Sequence, residues 1–483
     1  MNIFFLIKNM DKIEKKFSFI FLSFFIMLSI QNNWVNAENT FAQVVEGFDW
    51  GPCVTKMVIK LDNQITVGTE SGILDESAFS VVTTMEGYTT DANPSATTTE
   101  QTRTVEGAYT SDEKGNYKNA TSNYITLELQ CNPLNGDPFF FNLETSKNEW
   151  SDPYTSVITL TKDVTSGTST LSSSSFSVNS QPTNIYNNSI DDVFTVNQKH
   201  TVDQTLTYAY YKCTNTTNKG LVIWIHGMGE GGTDSTIVLY GNKVTALANT
   251  TIQGDLKNNC DILVVQTPTF WLDLTKEGKE SHTPEIYTET FKSLVDKYVS
   301  ENNIAKDRIY IGGCSMGGFM TMNMLLNYPD YFAAAYFAAE AYEDQYISDE
   351  QIQSIKHIPM WFIHAEEDPT VNISTHTNAT YKRLQDAGAT DLHYSHYEKV
   401  LDTSRVYDYV KGAQYEYDAH WSWVYLFNDE CKDGDDTVFT WLFKITNSKY
   451  EEEETNIDDE DSNSSWLNKI SILFSLFVFI FIF

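Results

Sequence analysis

Gly313-Cys314-Ser315-Met316-Gly317 sets one hydroxyl between two glycines, within the stretch IGGCSMGGFM (311–320). A serine hydroxyl is a weak nucleophile at neutral pH; it needs a neighbouring base, and the base needs an orienting carboxylate. The G-x-S-x-G spacing serves that chemistry when a strand enters it and a helix leaves it, because the sharp turn lifts the hydroxyl above a sheet. Arg308–Ile311 reads as the strand and Phe319–Asn327 as the helix. Ser315 is therefore the candidate nucleophile. The Met316 N–H, at the start of the helix, is a candidate donor to developing negative charge. A glycine-rich turn without chemistry is the alternative for these residues taken alone.

Three further segments supply what such a serine requires. LVIWIHGMGEGGTD (221–234) places His226-Gly227-Met228-Gly229 after an apolar run, making the Met228 N–H a candidate second oxyanion donor and His226 a structural residue. A phosphate-cradling loop is the competing reading, but no Walker lysine follows and the spacing misses G-x-G-x-x-G. In MWFIHAEEDPTV (360–371), Asp368 stands just past another apolar run. Glu366 and Glu367 compete with it, but Asp368-Pro369 begins a fixed turn suited to aiming a side chain into a cleft. His420, in DAHWSW (418–423), lies beyond the last expected strand near 391–399, which completes the order Ser, Asp, His. His393 and His396 fall on that strand facing solvent. His357, His364 and His376, close to the acid, suit surface or supporting roles.

These segments must be held by a sheet. From residue 186 to 446, short apolar runs such as Leu221–Ile225, Ile262–Val265 and Met360–Ile363 alternate with helical patterns such as 285–299. Continuous apolar strands between amphipathic helices indicate a mostly parallel sheet covered on both faces, an α/β fold. Residues 40–175 instead show short alternating runs (Val54–Leu61, Phe79–Met85, Tyr124–Leu129, Val157–Leu160) separated by Gly, Asn, Asp and Pro, the pattern of an all-β sandwich. Cys53 opens the first run and Cys131 follows the third, so a bridge within this domain is expected. Residues 165–185 are Ser/Thr-rich and read as a flexible or O-glycosylated linker, with a strand in part of it as the alternative.

Charge and termini bound the remaining possibilities. The 483 residues carry a formal net charge of −33, which nucleic-acid phosphates and anionic lipid repel, so nucleic acid is excluded as a partner. Residues 1–37 combine a Lys-rich lead, the apolar run FSFIFLSFFIMLSI (17–30) and the A-x-A-like Val35-Asn36-Ala37, as in a signal peptide. An acidic spacer (447–465), with eight carboxylates in the eleven residues 451–461, precedes the hydrophobic tail 466–483. The tail's last fourteen residues would span about 21 Å as a helix, short of a bilayer core of about 30 Å. Small polar residues followed by such a tail match a glycosylphosphatidylinositol signal, with a short membrane helix as the alternative. The expectation is a chain of the secretory pathway, extracellular or at the cell surface, meeting membrane only through that lipid anchor or tail. Asn119, Asn187, Asn215, Asn249, Asn372, Asn378 and Asn463 are then candidate glycosylation sites.

Together HGMGEGG (226–232), GCSMGG (313–318) and HAEEDPTV (364–371) resemble the motifs of the secreted esterase branch of the α/β-hydrolases. FDWGPCVTKMVIKLD (48–62), RTVEGAYTSDEKGN (103–116) and NYITLELQCN (123–132) resemble the immunoglobulin-like domain that precedes some bacterial carboxylesterases. The resemblance implies a serine carboxylic-ester hydrolase working through an acyl-enzyme on a small or polymer-linked ester, with no cofactor and no metal. Two departures are the tryptophan after His420 and a loop of about fifty residues between Asp368 and His420. The fold also implies a Cys213–Cys260 bridge, with Cys314 buried and free and Cys431 left over. Alternatives are a prolyl-oligopeptidase-like peptidase, a polysaccharide or feruloyl esterase with Trp271, Trp421 and Trp423 as stacking platforms, and a non-catalytic cell-surface homologue. A propeller of at least four blades of about 40 residues does not fit the roughly 140 residues available before the hydrolase domain.

Overall fold

Alternation of buried and exposed side chains builds the first domain, as in Tyr154–Leu160, where every second residue is buried. The computed structural model describes residues 39–450 apart from 68–70, 91–92, 273–274, 277, 279–285 and 405–413. The leader, Asn463, the acidic run from residue 451 and the apolar tail lie outside the described residues. The strands are β1 (Thr40–Phe48), β2 (Gly51–Ile65), β3 (Phe79–Thr90), β4 (Asn93–Arg103), β5 (Val105–Ser111) and β6 (Ser122–Leu129). They continue as β7 (Phe139–Asn142), β8 (Lys147–Trp150), β9 (Tyr154–Leu160), β10 (Val164–Ser166), β11 (Ser169–Leu171) and β12 (Asn184–Asn187). A five-stranded sheet, β12-β1-β2-β6-β5, packs on a three-stranded one, β4-β3-β9, and β7 pairs with β8 as a separate hairpin. The Ser/Thr-rich segment is built into this sandwich, because β10 and β11 form a hairpin and β12 pairs in parallel with β1.

Cys53 and Cys131 are bridged, with Cα atoms 6.2 Å apart and a sequence separation of 78. The bridge closes the end of the β2–β6 ladder, whose register pairs Lys56 with Glu128.

The second domain follows the expected alternation. Strands β13 (Thr195–Thr201), β14 (Thr205–Tyr211), β15 (Lys219–Ile225), β16 (Cys260–Gln266), β17 (Ile304–Cys314), β18 (Ala334–Ala338), β19 (Met360–Ala365) and β20 (Leu392–Tyr397) make one sheet. Its order is β13-β14-β16-β15-β17-β18-β19-β20. Only the β13–β14 and β14–β16 pairs are antiparallel. The helices that concern the site are α1 (Ser235–Gly241), α2 (Thr288–Asn302), α3 (Met316–Asn327) and α4 (Thr377–Asp386). Successive residues of β15 and β16 face opposite sides: Leu221, Ile223 and Leu263 pack with α2 and α3, whereas Val222, Trp224 and Ile262 pack with α1.

The apolar layer under α1 is continuous with the interior of the sandwich, joining Val238 and Tyr240 to Phe41, Val45 and Val54. Polar contacts follow the same seam. The buried Asp49 carboxylate meets the Lys243 ammonium at 2.8 Å and the Asn428 amide at 3.1 Å, and Tyr240 donates to the Val45 carbonyl.

One cysteine expectation is corrected. Cys213 and Cys260 are both free and buried. Strand β14 ends at Tyr211, and beyond it the Cys213 thiol donates to the Asn215 carbonyl while its N–H binds the Asp261 carboxylate. That turn carries Cys213 out of the ladder, so neighbouring positions do not become a bond. Cys314 and Cys431 are likewise free and buried. Among the expected glycosylation sites, Asn119, Asn215, Asn249 and Asn372 are exposed. Asn187 and Asn378 are half-buried, and each carbonyl accepts a tyrosine hydroxyl, from Tyr240 and Tyr394 respectively.

Candidate active site

Strand β17 ends at Cys314, helix α3 begins at Met316, and Ser315 joins them with φ 53° and ψ −119°. Such a conformation is strained for a residue with a side chain, and it holds only where the surroundings enforce it. Here Ser315 donates its N–H to the Ala338 carbonyl and accepts from Phe319 N–H, which anchors both ends of the turn. Gly317 is required by space: a Cβ there would lie 2.0 Å from the Ile225 carbonyl oxygen. Met316, first residue of α3, presents one of the amides that a helix start leaves without an internal partner.

Asp368 lies past the end of β19 and is fully enclosed, its side chain 0% exposed. One oxygen accepts from Thr370 and Val371 N–H at 2.8 and 2.9 Å, which fixes the turn. The other accepts from His420 Nδ1 at 2.8 Å and His364 Nε2 at 2.9 Å. Burial alone would raise this carboxyl, but the two histidine hydrogen bonds outweigh it and hold Asp368 well below the usual carboxylate range. With Nδ1–H committed to Asp368, His420 keeps Nε2 as the basic nitrogen. His364, expected only as a surface or supporting residue, is fully buried and locked by Thr377 at its other nitrogen. Its spacing of four residues from Asp368 was the available signal.

The loop after β15 has a similar internal logic. His226 is fully buried; its Nε2 faces the Thr267 N–H at 3.2 Å, so Nδ1 carries the proton and donates to the Gly227 carbonyl at 2.5 Å. Burial pushes His226 down to about 4, leaving it neutral and able to play both parts. In a trans peptide, C=O and N–H point in opposite directions. Holding the Gly227 carbonyl therefore turns the Met228 N–H away from His226. Glu230, also buried, accepts from the Asn148 amide at 3.1 Å; Asn242, oriented to satisfy both neighbours, donates to Glu230 and accepts from the Trp423 indole, each at 3.3 Å. Burial pushes the Glu230 carboxyl up to about 7, despite hydrogen bonds from Gly227 and Asn148.

Ser315, Met228 and His420 line one cavity of about 480 Å³. Its other wall comes from the first domain: Trp50, Asp137, Phe139, Phe140, Phe141 and Asn148. Trp50 comes from the β1–β2 turn, within the stretch FDWGPC; the other residues belong to β7, β8 and the turn before them, which no motif announced. The hairpin is tied down by Lys147 to the Pro268 carbonyl, Asn148 to Glu230 and Trp150 to Thr236. Trp421 and Trp423 also line the cavity, whereas Trp271 is buried against His226, Tyr287 and Phe291.

An eight-stranded mostly parallel sheet, a strained serine on a strand-to-helix turn and a histidine–aspartate pair beside it define an α/β-hydrolase. Residues 41–207 match the family model described as the esterase Ig-like N-terminal domain, and residues 207–407 that of the phospholipase/carboxylesterase family. The chain thus joins an esterase Ig-like domain to a carboxylesterase-like serine hydrolase domain. Among solved structures, a thermostable esterase is similar over 85% of this chain and 100% of its own, with 23% identity and a TM-score of 0.65. An acetyl xylan esterase from Aspergillus awamori is similar over 40% of this chain and 79% of its own (18% identity, TM-score 0.30). An acylaminoacyl peptidase from Pyrococcus horikoshii is similar over 52% and 44% (16% identity, TM-score 0.34). No curated protein matches the chain in sequence.

Proposed function

We propose that Ser315, His420 and Asp368 act as a nucleophile–base–acid triad that hydrolyses carboxylic esters through an acyl-enzyme. Ser315 Oγ attacks the ester carbonyl carbon while His420 Nε2 takes its proton. Charge accumulates on the carbonyl oxygen, for which the Met228 and Met316 N–H groups are the assigned donors. Collapse of the tetrahedral species breaks the bond to the alkoxy oxygen, which leaves as the alcohol carrying the proton from His420. Water then attacks the acyl-serine, gives a proton to His420, and the acid departs as Oγ is reprotonated. Asp368 stays ionised throughout, holding the imidazole tautomer and stabilising its protonated form.

The observation that carries this reading is the Asp368–His420 hydrogen bond, on the same cavity as a serine held at φ 53°. Among the described residues no hydrogen bond joins Ser315 Oγ to His420; such contacts often tighten only when substrate is bound. Full-length protein should cleave p-nitrophenyl acetate and take up a fluorophosphonate at Ser315. Ser315→Ala should lose the label and lower kcat by at least about 10³-fold. Turnover that survives this substitution would assign the chemistry elsewhere.

A further inference from the structure

The cavity that holds Ser315 has an uneven chemical lining. Six aromatic residues reach it, Trp50, Phe139, Phe140 and Phe141 from the first domain and Trp421 and Trp423 from the second. Two carboxyl groups line it as well, Asp137 and Glu230. No lysine or arginine does, among the described residues. The nearby ammonium groups are engaged elsewhere: Lys147 is bonded to the Pro268 carbonyl and sits over the Phe270 ring, and Lys243 is paired with Asp49.

The two carboxyls are not equivalent. Glu230 is spoken for by Asn148 and Asn242. Asp137 is half-buried on the opposite wall, and only one of its oxygens has a hydrogen-bond partner among the described residues, the Phe139 N–H at 2.7 Å. Its other oxygen faces the turn at Gly51, where an added Cβ would stand 3.9 Å away with no closer neighbour. Burial pushes this carboxyl up to about 8, and no cation of the protein offsets the rise, so it is largely protonated at pH 7 while the cavity is empty. A cation entering among the aromatic faces is attracted by the rings' quadrupoles and favours the ionised form of Asp137, with which it then pairs. An anion favours the protonated form and gains no such pair. The chain's net charge of −33 acts in the same sense at longer range.

Resting on the serine-hydrolase reading above, we infer that the ester taken by this cavity carries a cationic ammonium group, seated among the aromatic rings against Asp137, and that Asp137 is a specificity-determining residue. The triad supplies the bond cleavage; Asp137 selects what is cleaved. Neutral esters of the same shape fit the cavity but gain nothing from the carboxylate, and anionic ones are disfavoured.

Choline and 3,3-dimethyl-1-butanol share a shape and differ by the charge, so their binding to full-length protein, followed by calorimetry or by quenching of the cavity tryptophans, isolates the term. Choline should bind about tenfold more tightly, with 3,3-dimethylbutyrate weaker than either. Acetylcholine should exceed 3,3-dimethylbutyl acetate in kcat/KM by a similar factor. In Asp137→Asn both preferences should shrink to about twofold or less. Equal binding of the two alcohols by the wild type overturns the inference without any variant, and so does a choline preference that survives Asp137→Asn. Fluorophosphonate labelling separates the two readings: a chain that binds choline selectively but takes no label keeps the cavity assignment and loses the serine mechanism. A chain that is labelled but indifferent to charge does the reverse.

Discussion

Four hydrogen bonds converge on the carboxylate of Asp368, two on each oxygen, whereas the carboxyl of Glu230 a short distance away is held near pH 7 by burial. The same functional group is thus kept charged at one point of the site and largely neutral at another. In the proposed mechanism, a neutral Glu230 beside the Gly227–Met228 peptide would spare the developing oxyanion a facing negative charge. The stability consequence has a definite sign. In the folded chain Glu230 keeps its proton up to about pH 7, but its ordinary value is 4.5, so the unfolded chain loses the proton first. Stability therefore falls as pH rises from about 4.5 through 7, by up to about 3 kcal/mol. Glu230→Gln removes that loss. Its melting temperature, compared with the wild type, should be higher at pH 8 by a margin that vanishes at about pH 5. Calorimetry at the two pH values reads the margin; equal differences at both would mean that Glu230 is ionised throughout.

The β7–β8 hairpin makes an element of one domain part of the other's working surface. Its tight end is set locally, by the Asn142 side chain accepting from Glu144 N–H and by Ser146 at φ 54°. Its position is set at a distance, by Lys147, Asn148 and Trp150 reaching into the hydrolase domain. Asn148→Ala would leave the buried Glu230 carboxyl short of a donor, at a cost of about 1–3 kcal/mol. Ester turnover should fall as well, although the substituted residue lies in the first domain and far from Ser315 in sequence. An unchanged melting temperature in calorimetry together with unchanged kcat/KM would show that this contact carries neither role. The hairpin also marks the limit of what could be read from residues alone. Ser315, Asp368 and His420 were legible because each sits at the end of an apolar strand or just beyond the last one, where local pattern and chain order specify the place. Asp137, Phe140 and Asn148 have no such marker; their meeting with Ser315 depends on how two domains pack. The supporting role read for His364 is the one it takes, beside Asp368, but its full burial was not legible, since burial depends on what covers a strand end. The cysteine pair at 213 and 260 was misjudged because the chain leaves the ladder at Tyr211, two residues before the first thiol.

Taken as a whole, the molecule has a sandwich and an α/β sheet with one apolar interior running between them, reinforced by the enclosed Asp49–Lys243 pair. Two domains that share a core should melt together. Differential scanning calorimetry of the full chain should give a single transition, and replacing Cys53 and Cys131 by alanine should cost about 2–4 kcal/mol of stability and shift the transition down without splitting it. Two resolved peaks would mean that the interior is divided. The hairpin's place in the chain adds an order in time. Trp150 leaves the ribosome about 165 residues before Ser315, roughly ten to thirty seconds earlier at ordinary rates of synthesis. The wall facing the serine is therefore made before the serine exists. The residues that face the serine are thus synthesised, and available to be packed against, before the strand that ends at it.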